Sequence, residues 1–271
     1  MTNIIETTAK PSGTKRRKAR DIVHRLTLFM AVAAPFVFLC AAVGSRLGLW
    51  SWQFGLSSLS LGVGVKLLMA ALCLGVLSLA ASIFIKPRKG WWIGVLAVLI
   101  GFAGLGKGAS TQKTVQKLPF IHDITTDTQN PPVFSEVILA ERAKVSGVNS
   151  LAYAGKKDSR DNKLVSALQS KAYPQVRSLV LEASPEATFG SALAAAKSMG
   201  WAIKAENVSG GTIEATDTTF WYGFQDDISI RIRPSEGGGS IVDMRSVSRV
   251  GASDIGANAK RIETFLNTLS Q

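Results

Sequence analysis

The strongest constraint in this 271-residue sequence is a set of long uncharged apolar runs in its first half. Leu26 to Val43 holds 18 residues without a charge, Leu67 to Ile85 holds 19, and Trp91 to Gly106 holds 16. A helix needs about 20 such residues to cross a bilayer core, and the stem of Lys107 lengthens the third run by reaching toward the headgroups. The pattern predicts three spans, at about 26–43, 60–85 and 91–106, so the lipid bilayer is the first predicted partner. They lie between a basic tail at 1–25 and a polar stalk at 107–118, and a domain follows at 119–271. Pro35 falls inside the first span, where neighbouring helices or water can satisfy the freed carbonyl.

Charge sets the orientation. The formal net charge is +12, but ten of those charges belong to the first 106 residues, which leaves the distal domain almost neutral. Lys10, Lys15, Arg16, Arg17, Lys18, Arg20 and Arg25 precede the first span, only Arg46 and Lys66 separate the first two, and Lys86, Arg88 and Lys89 crowd the next turn. Basic flanks stay in the cytoplasm, so the alternation predicts a cytoplasmic N-terminus and a distal domain on the far side. Trp91 and Trp92 at the inner boundary, with Trp50 and Trp52 at the outer one, suit an aromatic belt. The uncharged stretch Leu47 to Val65 is read as an outer-surface segment merging into a long second helix, since Lys66 alone is too little for a helical hairpin turn. The first run is longer than a signal peptide's apolar core and two more runs follow, so it is read as an uncleaved anchor. Lys15 to Arg20 sits too close to that run to argue for nucleic acid, which is not an expected partner. Ala71 with Gly75, and Ala97 with Gly101, are small-xxx-small pairs that permit close helix approach. Such spacings are common by chance and do not by themselves support a homo-oligomer. Cys40 and Cys73 lie in predicted spans, where each is expected as a small buried hydrophobe, and the distal domain has no cysteine for a disulfide framework.

The distal domain reads as α+β. Asn130-Pro131-Pro132 imposes an extended path, and short helices are expected around 137–144 and 163–171. A strand at 178–181 precedes a helix with Ser184 as N-cap, Pro185 in its first turn and Gly200 as its stop. Alternation from Trp201, from Ile213, through Ile228, Ile230 and Ile232, and through Val242 and Met244 marks four more strands, and Ser253 is placed to cap a last helix. The order β-α-β-β-β-β-α predicts an antiparallel sheet with two helices on one face. The other face carries Asp227, Arg231, Arg233, Asp243, Arg245 and Arg249, which can pair across strands.

Three ordered blocks carry a resemblance. Ile121-His122-Asp123-Ile124-Thr125-Thr126-Asp127 with Pro131-Pro132, then Glu214 to Asp217 with Gly223 to Asp227, then Asp243 to Gly251 with Ser253 to Ile262, resemble the domain of unknown function 1499 family over about 119–269. The resemblance implies a bacterial envelope protein, so the three spans are expected in the inner membrane and the domain in the periplasm. It implies no activity. Asp123, Thr126, Asp127, Asp226, Asp227, Arg245, Arg249 and Asn258 are candidate ligand-binding residues: Arg245 and Arg249 suit an anionic group, and Asp226 and Asp227 a cation or hydroxyls. The alternative is an internal scaffold in which 123–127 lies along the sheet and its polar groups are satisfied by strand arginines and the Ser253 cap.

Catalysis has less to build on. Adjacent Asp226 and Asp227 point to opposite faces of a strand, and His122 is the lone histidine of the distal domain, too few for a two-histidine metal centre. Gly101 to Gly106 is glycine-rich but lies in a span and lacks a phosphate-loop lysine. No cofactor, metal or catalytic residue is assigned. The reading is a membrane-anchored binding or assembly domain acting on an envelope protein or ligand, with a periplasmic hydrolase using Asp226 or Asp227 and His122 as the alternative.

Overall fold

A computed structural model describes residues 12–271, so Lys10 and the start of the basic tail lie outside the described residues. Two compact units divide after Gln112.

The first unit contains three helices long and apolar enough to cross a membrane. Helix α1 (Ser12–Arg46) runs unbroken through Pro35. The second begins as a π-helical stretch, Phe54–Gly64, and continues into α2 (Val65–Phe84). The surface segment expected at 47–65 thus shrinks to 47–53, because the run from Phe54 is apolar enough to join the helix. Helix α3 (Trp91–Lys117) likewise passes straight through the expected stalk, since Ser110 to Lys117 contains no glycine or proline to stop it. Arg17 Nε donates to the Lys86 carbonyl at 3.2 Å and Arg20 Nη1 to that of Pro87 at 2.5 Å. The basic end of α1 and the basic turn after α2 therefore lie together. His24 Nε2 is 3.1 Å from Ser82 Oγ in the same corner.

The small-residue pairs face each other within the chain. A Cβ on Gly94 would stand 2.8 Å from the Gly75 carbonyl, and one on Gly101 3.0 Å from that of Leu68, so α2 and α3 touch backbone to backbone. Cys73, expected to be buried, is exposed on the helix surface and Cys40 is half-buried, an arrangement that costs little where the surroundings are lipid.

In the second unit α4 (Glu136–Arg142), α5 (Val165–Ala172), α6 (Pro185–Ser198) and α7 (Ala257–Leu269) surround an antiparallel sheet. Its strands are β1 (Asp123–Thr125), β2 (Leu179–Leu181), β3 (Ala202–Asn207), β4 (Thr212–Thr218), β5 (Gln225–Pro234) and β6 (Ser240–Ser248). The spatial order is β1-β6-β5-β4-β3, and β2 shares the outer edge of β6 with β1. Ile213, Ile228, Ile230, Val242 and Met244 bury one face against Phe189, Ala192, Ile262 and Phe265 of α6 and α7, and Trp201 stacks on Phe265 at 5.5 Å. Ser184 caps α6 as expected, accepting from Ala187 N, with Pro185 at its start.

Helix α7 departs from expectation. Its N-cap is Gly256 at φ +80°, and Asp254 rather than Ser253 accepts from the amides of Gly256 and Asn258 at 2.8 and 3.1 Å. A carboxylate supplies two separate oxygens where a serine supplies one, and here each holds its own N–H group. At the sheet edge the Gln169 amide takes the place of a further strand: it accepts from Thr125 N at 3.0 Å and donates to the Thr125 carbonyl at 2.6 Å.

Gly94→Val is expected to lower the thermal midpoint of the chain in detergent by forcing α2 and α3 apart, at a cost of about 1–3 kcal/mol. Gly106→Val, where an added Cβ meets nothing, is expected to leave it unchanged.

Candidate functional site

The polar face of the sheet is covered by the chain between β1 and α5, and three fully buried carboxylates organise the contact. Asp227 on β5 is the most heavily bound. Its Oδ1 accepts from Thr216 Oγ1 at 2.9 Å and Arg249 Nη2 at 2.7 Å, and its Oδ2 from Arg142 Nη1 at 2.7 Å and Arg249 Nε at 2.9 Å. Arg249 reaches on to Glu141 at 2.7 Å, and Glu141 to Lys204 at 2.8 Å, so a charge chain ties α4 to β3, β5 and the end of β6. Those two hydrogen bonds hold the Glu141 carboxyl below its ordinary value. Arg142 completes its own set on the Asn149 carbonyl at 2.6 Å.

Asp123 on β1 is gripped by the fork of Arg245, with Nε and Nη2 each at 2.9 Å, and by Lys156 Nζ at 2.9 Å. This two-pronged geometry matches a carboxylate's paired oxygens. The guanidinium lies 5.5 Å from the ring centres of both Phe134 and Tyr153, and donates to the Leu151 carbonyl at 2.7 Å. Asp243 on β6 is bound by Arg231, Arg233 and Ser178, with Arg231 directly opposite it in the ladder. Burial alone would raise its carboxyl, but these three donors outweigh burial and hold it below its ordinary value. Arg231 also binds Asp127 at 3.2 Å, and Thr126 both contacts Asp243 at 3.3 Å and accepts from Met244 N at 2.9 Å.

Asp226 and Asn258 lie on the opposite, helix-packed face. Arg261 of α7 bridges Asp226 and Asp217 at 2.7 Å each and contacts Asn258 Oδ1. Asn258 Oδ1 also accepts from Ser246 Oγ at 2.7 Å, while its Nδ2 donates to the His122 carbonyl at 3.1 Å. Desolvation, with the Asp226 charge adding to it, pushes the nearby Asp254 carboxyl up to about 6.

The eight candidate residues therefore form two groups. Asp123, Thr126, Asp127, Asp227, Arg245 and Arg249 share the polar face; Asp226 and Asn258 share the other. Adjacent Asp226 and Asp227 do point oppositely. Among the described residues no group of three or more His, Cys, Asp and Glu side chains is placed to hold a metal ion. His122 Nδ1 is 3.3 Å from the Ala252 carbonyl and its Nε2 is buried without a partner, while burial and the Lys156 charge lower its pKa. Neither Asp226 nor Asp227 hydrogen-bonds to it; their partners are Arg261 and Arg142 with Arg249. Sequence reasoning missed Arg142, Lys156, Glu141 and Gln169. They lie in weakly patterned segments before β2, where only the fold pairs them with the strand residues.

Three apolar helices followed by an antiparallel sheet, closed over its polar face by salt-bridged chain, define a helix-anchored α+β protein. The match of residues 123–269, more than half of the chain, to a protein of unknown function (DUF1499) places it: the chain belongs to the DUF1499 family. No curated protein matches the chain.

Arg142→Ala leaves the buried Asp227 charge with one cation fewer and is expected to cost about 3–5 kcal/mol in denaturant unfolding. Arg160→Ala, at an exposed pair 3.9 Å from Asp161, is expected to cost under about 1 kcal/mol. Because the folded-state pKa of Asp254 is raised, its protonated form favours the fold, and that contribution is lost as pH rises from about 4 through about 6. The thermal midpoint of Asp254→Asn relative to the parent is therefore expected to be higher at pH 8 than at pH 4.5.

Proposed function

We propose that this chain is a three-span protein of a bacterial inner membrane, with its N-terminus in the cytoplasm and its α+β unit in the periplasm. There the unit acts by contact with an envelope protein or ligand and not by catalysis. The observation that carries the non-catalytic reading is the saturation of the buried carboxylates. Asp123, Asp227 and Asp243 are each already bound by two cationic side chains from within the chain. A general base or nucleophile needs an accessible lone pair, and an incoming ligand would have to break internal ion pairs to reach these. In this reading Asp123, Asp127, Asp227, Arg245 and Arg249, with Thr126, hold the 123–156 arm to the sheet. Asp226 and Asn258 hold α7 to it, and contact with a partner falls to the outer surface.

The orientation rests on the charge distribution, with which the helix packing agrees. The basic residues are distributed heavy, light and heavy around the spans, and Arg17 and Arg20 hydrogen-bond to the turn carbonyls of Lys86 and Pro87, which keeps both basic segments on one side.

Alkaline phosphatase fused after Gln271 is expected to be active in bacteria, and a cytoplasm-only reporter at the same point inactive; the reverse pattern overturns the orientation. Arg249→Ala is expected to lower thermal stability sharply. Unchanged stability with altered function in cells would instead assign Arg249 to a ligand.

A further inference from the structure

The register gathers several loops at one end of the sheet. Asp123 opposite Val247, Asp226 opposite Ser248, and Thr218 opposite Gln225 put the entry to β1, the exit from β6 and the β4–β5 turn side by side. That turn reads Phe220-Trp221-Tyr222-Gly223-Phe224. It is held firmly: Thr219 N donates to the Phe224 carbonyl at 2.8 Å, and Phe224 N donates to Thr219 Oγ1 at 2.9 Å. At its tip Phe220 and Trp221 are 73% and 58% exposed, packed edge to face at 5.1 Å. Among the described residues of this unit they are the large aromatic side chains that stand exposed. Ile255, held at φ +54° in the β6–α7 loop, is exposed as well. The same end carries exposed Lys157, Arg160 stacked at 5.1 Å over the Phe120 ring, and Lys163. Asp161 offsets part of this charge, while Asp158 is turned inward on three backbone N–H groups.

We infer that the aromatic tip at Phe220 and Trp221, with these cations at the β1 entry on the same end of the sheet, is a lipid-binding surface that inserts into the headgroup layer of an anionic bilayer. Two aromatic side chains present roughly 300–500 Å², well short of the about 800 Å² per partner of a stable protein interface. A small rigid aromatic wedge is what an interfacial layer accepts, because an indole offers an apolar body to the acyl boundary and an N–H to the headgroups. Nearby lysines and arginines add attraction to phosphate at the surface. A bilayer is also at hand wherever this chain is, since three helices upstream are apolar enough to span one. The inference uses only the membrane anchor of the reading above and does not depend on which side of the bilayer the unit occupies.

The test uses the full chain with Cys40→Ala and Cys73→Ala, in nanodiscs of phosphatidylcholine and phosphatidylglycerol. A nitrobenzoxadiazole fluorophore is placed at Phe220→Cys, which keeps Trp221, or at Val208→Cys in the β3–β4 turn at the opposite end of the sheet. The label at 220 is expected to show blue-shifted emission and severalfold stronger quenching by doxyl-labelled lipid than the label at 208. Adding Trp221→Ser is expected to reduce that quenching, and replacing phosphatidylglycerol with phosphatidylcholine to weaken it. Equal behaviour of the two labels, with both open to aqueous iodide, overturns the proposal. Shielding of the 220 label only in discs that hold two chains overturns it in favour of self-association. Failure of the chain to enter nanodiscs removes the membrane anchor itself, an outcome visible before any quenching is measured.

Discussion

The second unit depends on what happens to the charge of Asp227. A carboxylate wholly removed from water is tolerated only when cations and donors replace its hydration, and here Arg142, Arg249 and Thr216 do so from three separate elements. Because Arg249 also binds Glu141 and Glu141 binds Lys204, satisfying this one carboxylate fixes α4 over the sheet and sets the path of the chain between β1 and α5. Asp123 with Arg245 and Asp243 with Arg231 repeat the arrangement along β6. A polar layer of this kind contributes little net energy compared with an apolar one, but it tolerates few alternative registers, since any slip strands a charge.

The unit of three apolar helices is built on the opposite principle. Between helices in lipid no apolar surface is gained by association, so close contact must come from the absence of side chains. Gly75, Gly94 and Gly101 supply it at the α2–α3 contact. In the second unit, close backbone approach matters at turns such as Gly211, where an added Cβ would meet the Ile232 carbonyl at 2.1 Å. One chain thus uses glycine for helix contact in one unit and for strand reversal in the other.

Much of this architecture was legible in the sequence. The spans followed from uncharged run length, the strands from Ile228, Ile230 and Ile232 and from Val242 and Met244, and α6 from Ser184-Pro185. These signals are local, each written within a dozen residues. What escaped was long-range or graded. Nothing near Arg142 announces a partner 85 positions away. The extra length of α3 depended on the absence of a breaker, a weaker signal than a breaker's presence. Ser253 was read as the cap of α7, whereas the fold gives that place to the neighbouring Asp254, whose two oxygens take the amides of Gly256 and Asn258. The candidate residues were recognised as too polar for a core, yet all but the half-buried Asp127 are buried: their partners, not their polarity, decide where they sit.

The placement of β1 has a mechanical meaning. The chain leaving α3 at Lys117 reaches Asp123 within six residues, and there it meets both the β6 ladder and the two-pronged grip of Arg245. Any pull transmitted along the backbone toward the unit meets the hydrogen bonds on the Ile121 and His122 carbonyls, from Asp254, Ser248 and Asn258, and then those of this short strand and its ion pair, across the sheet edge. Ile121, buried in the apolar core beneath α6 and α7, is drawn into the same fastening, so strand, ion pair and core are loaded together.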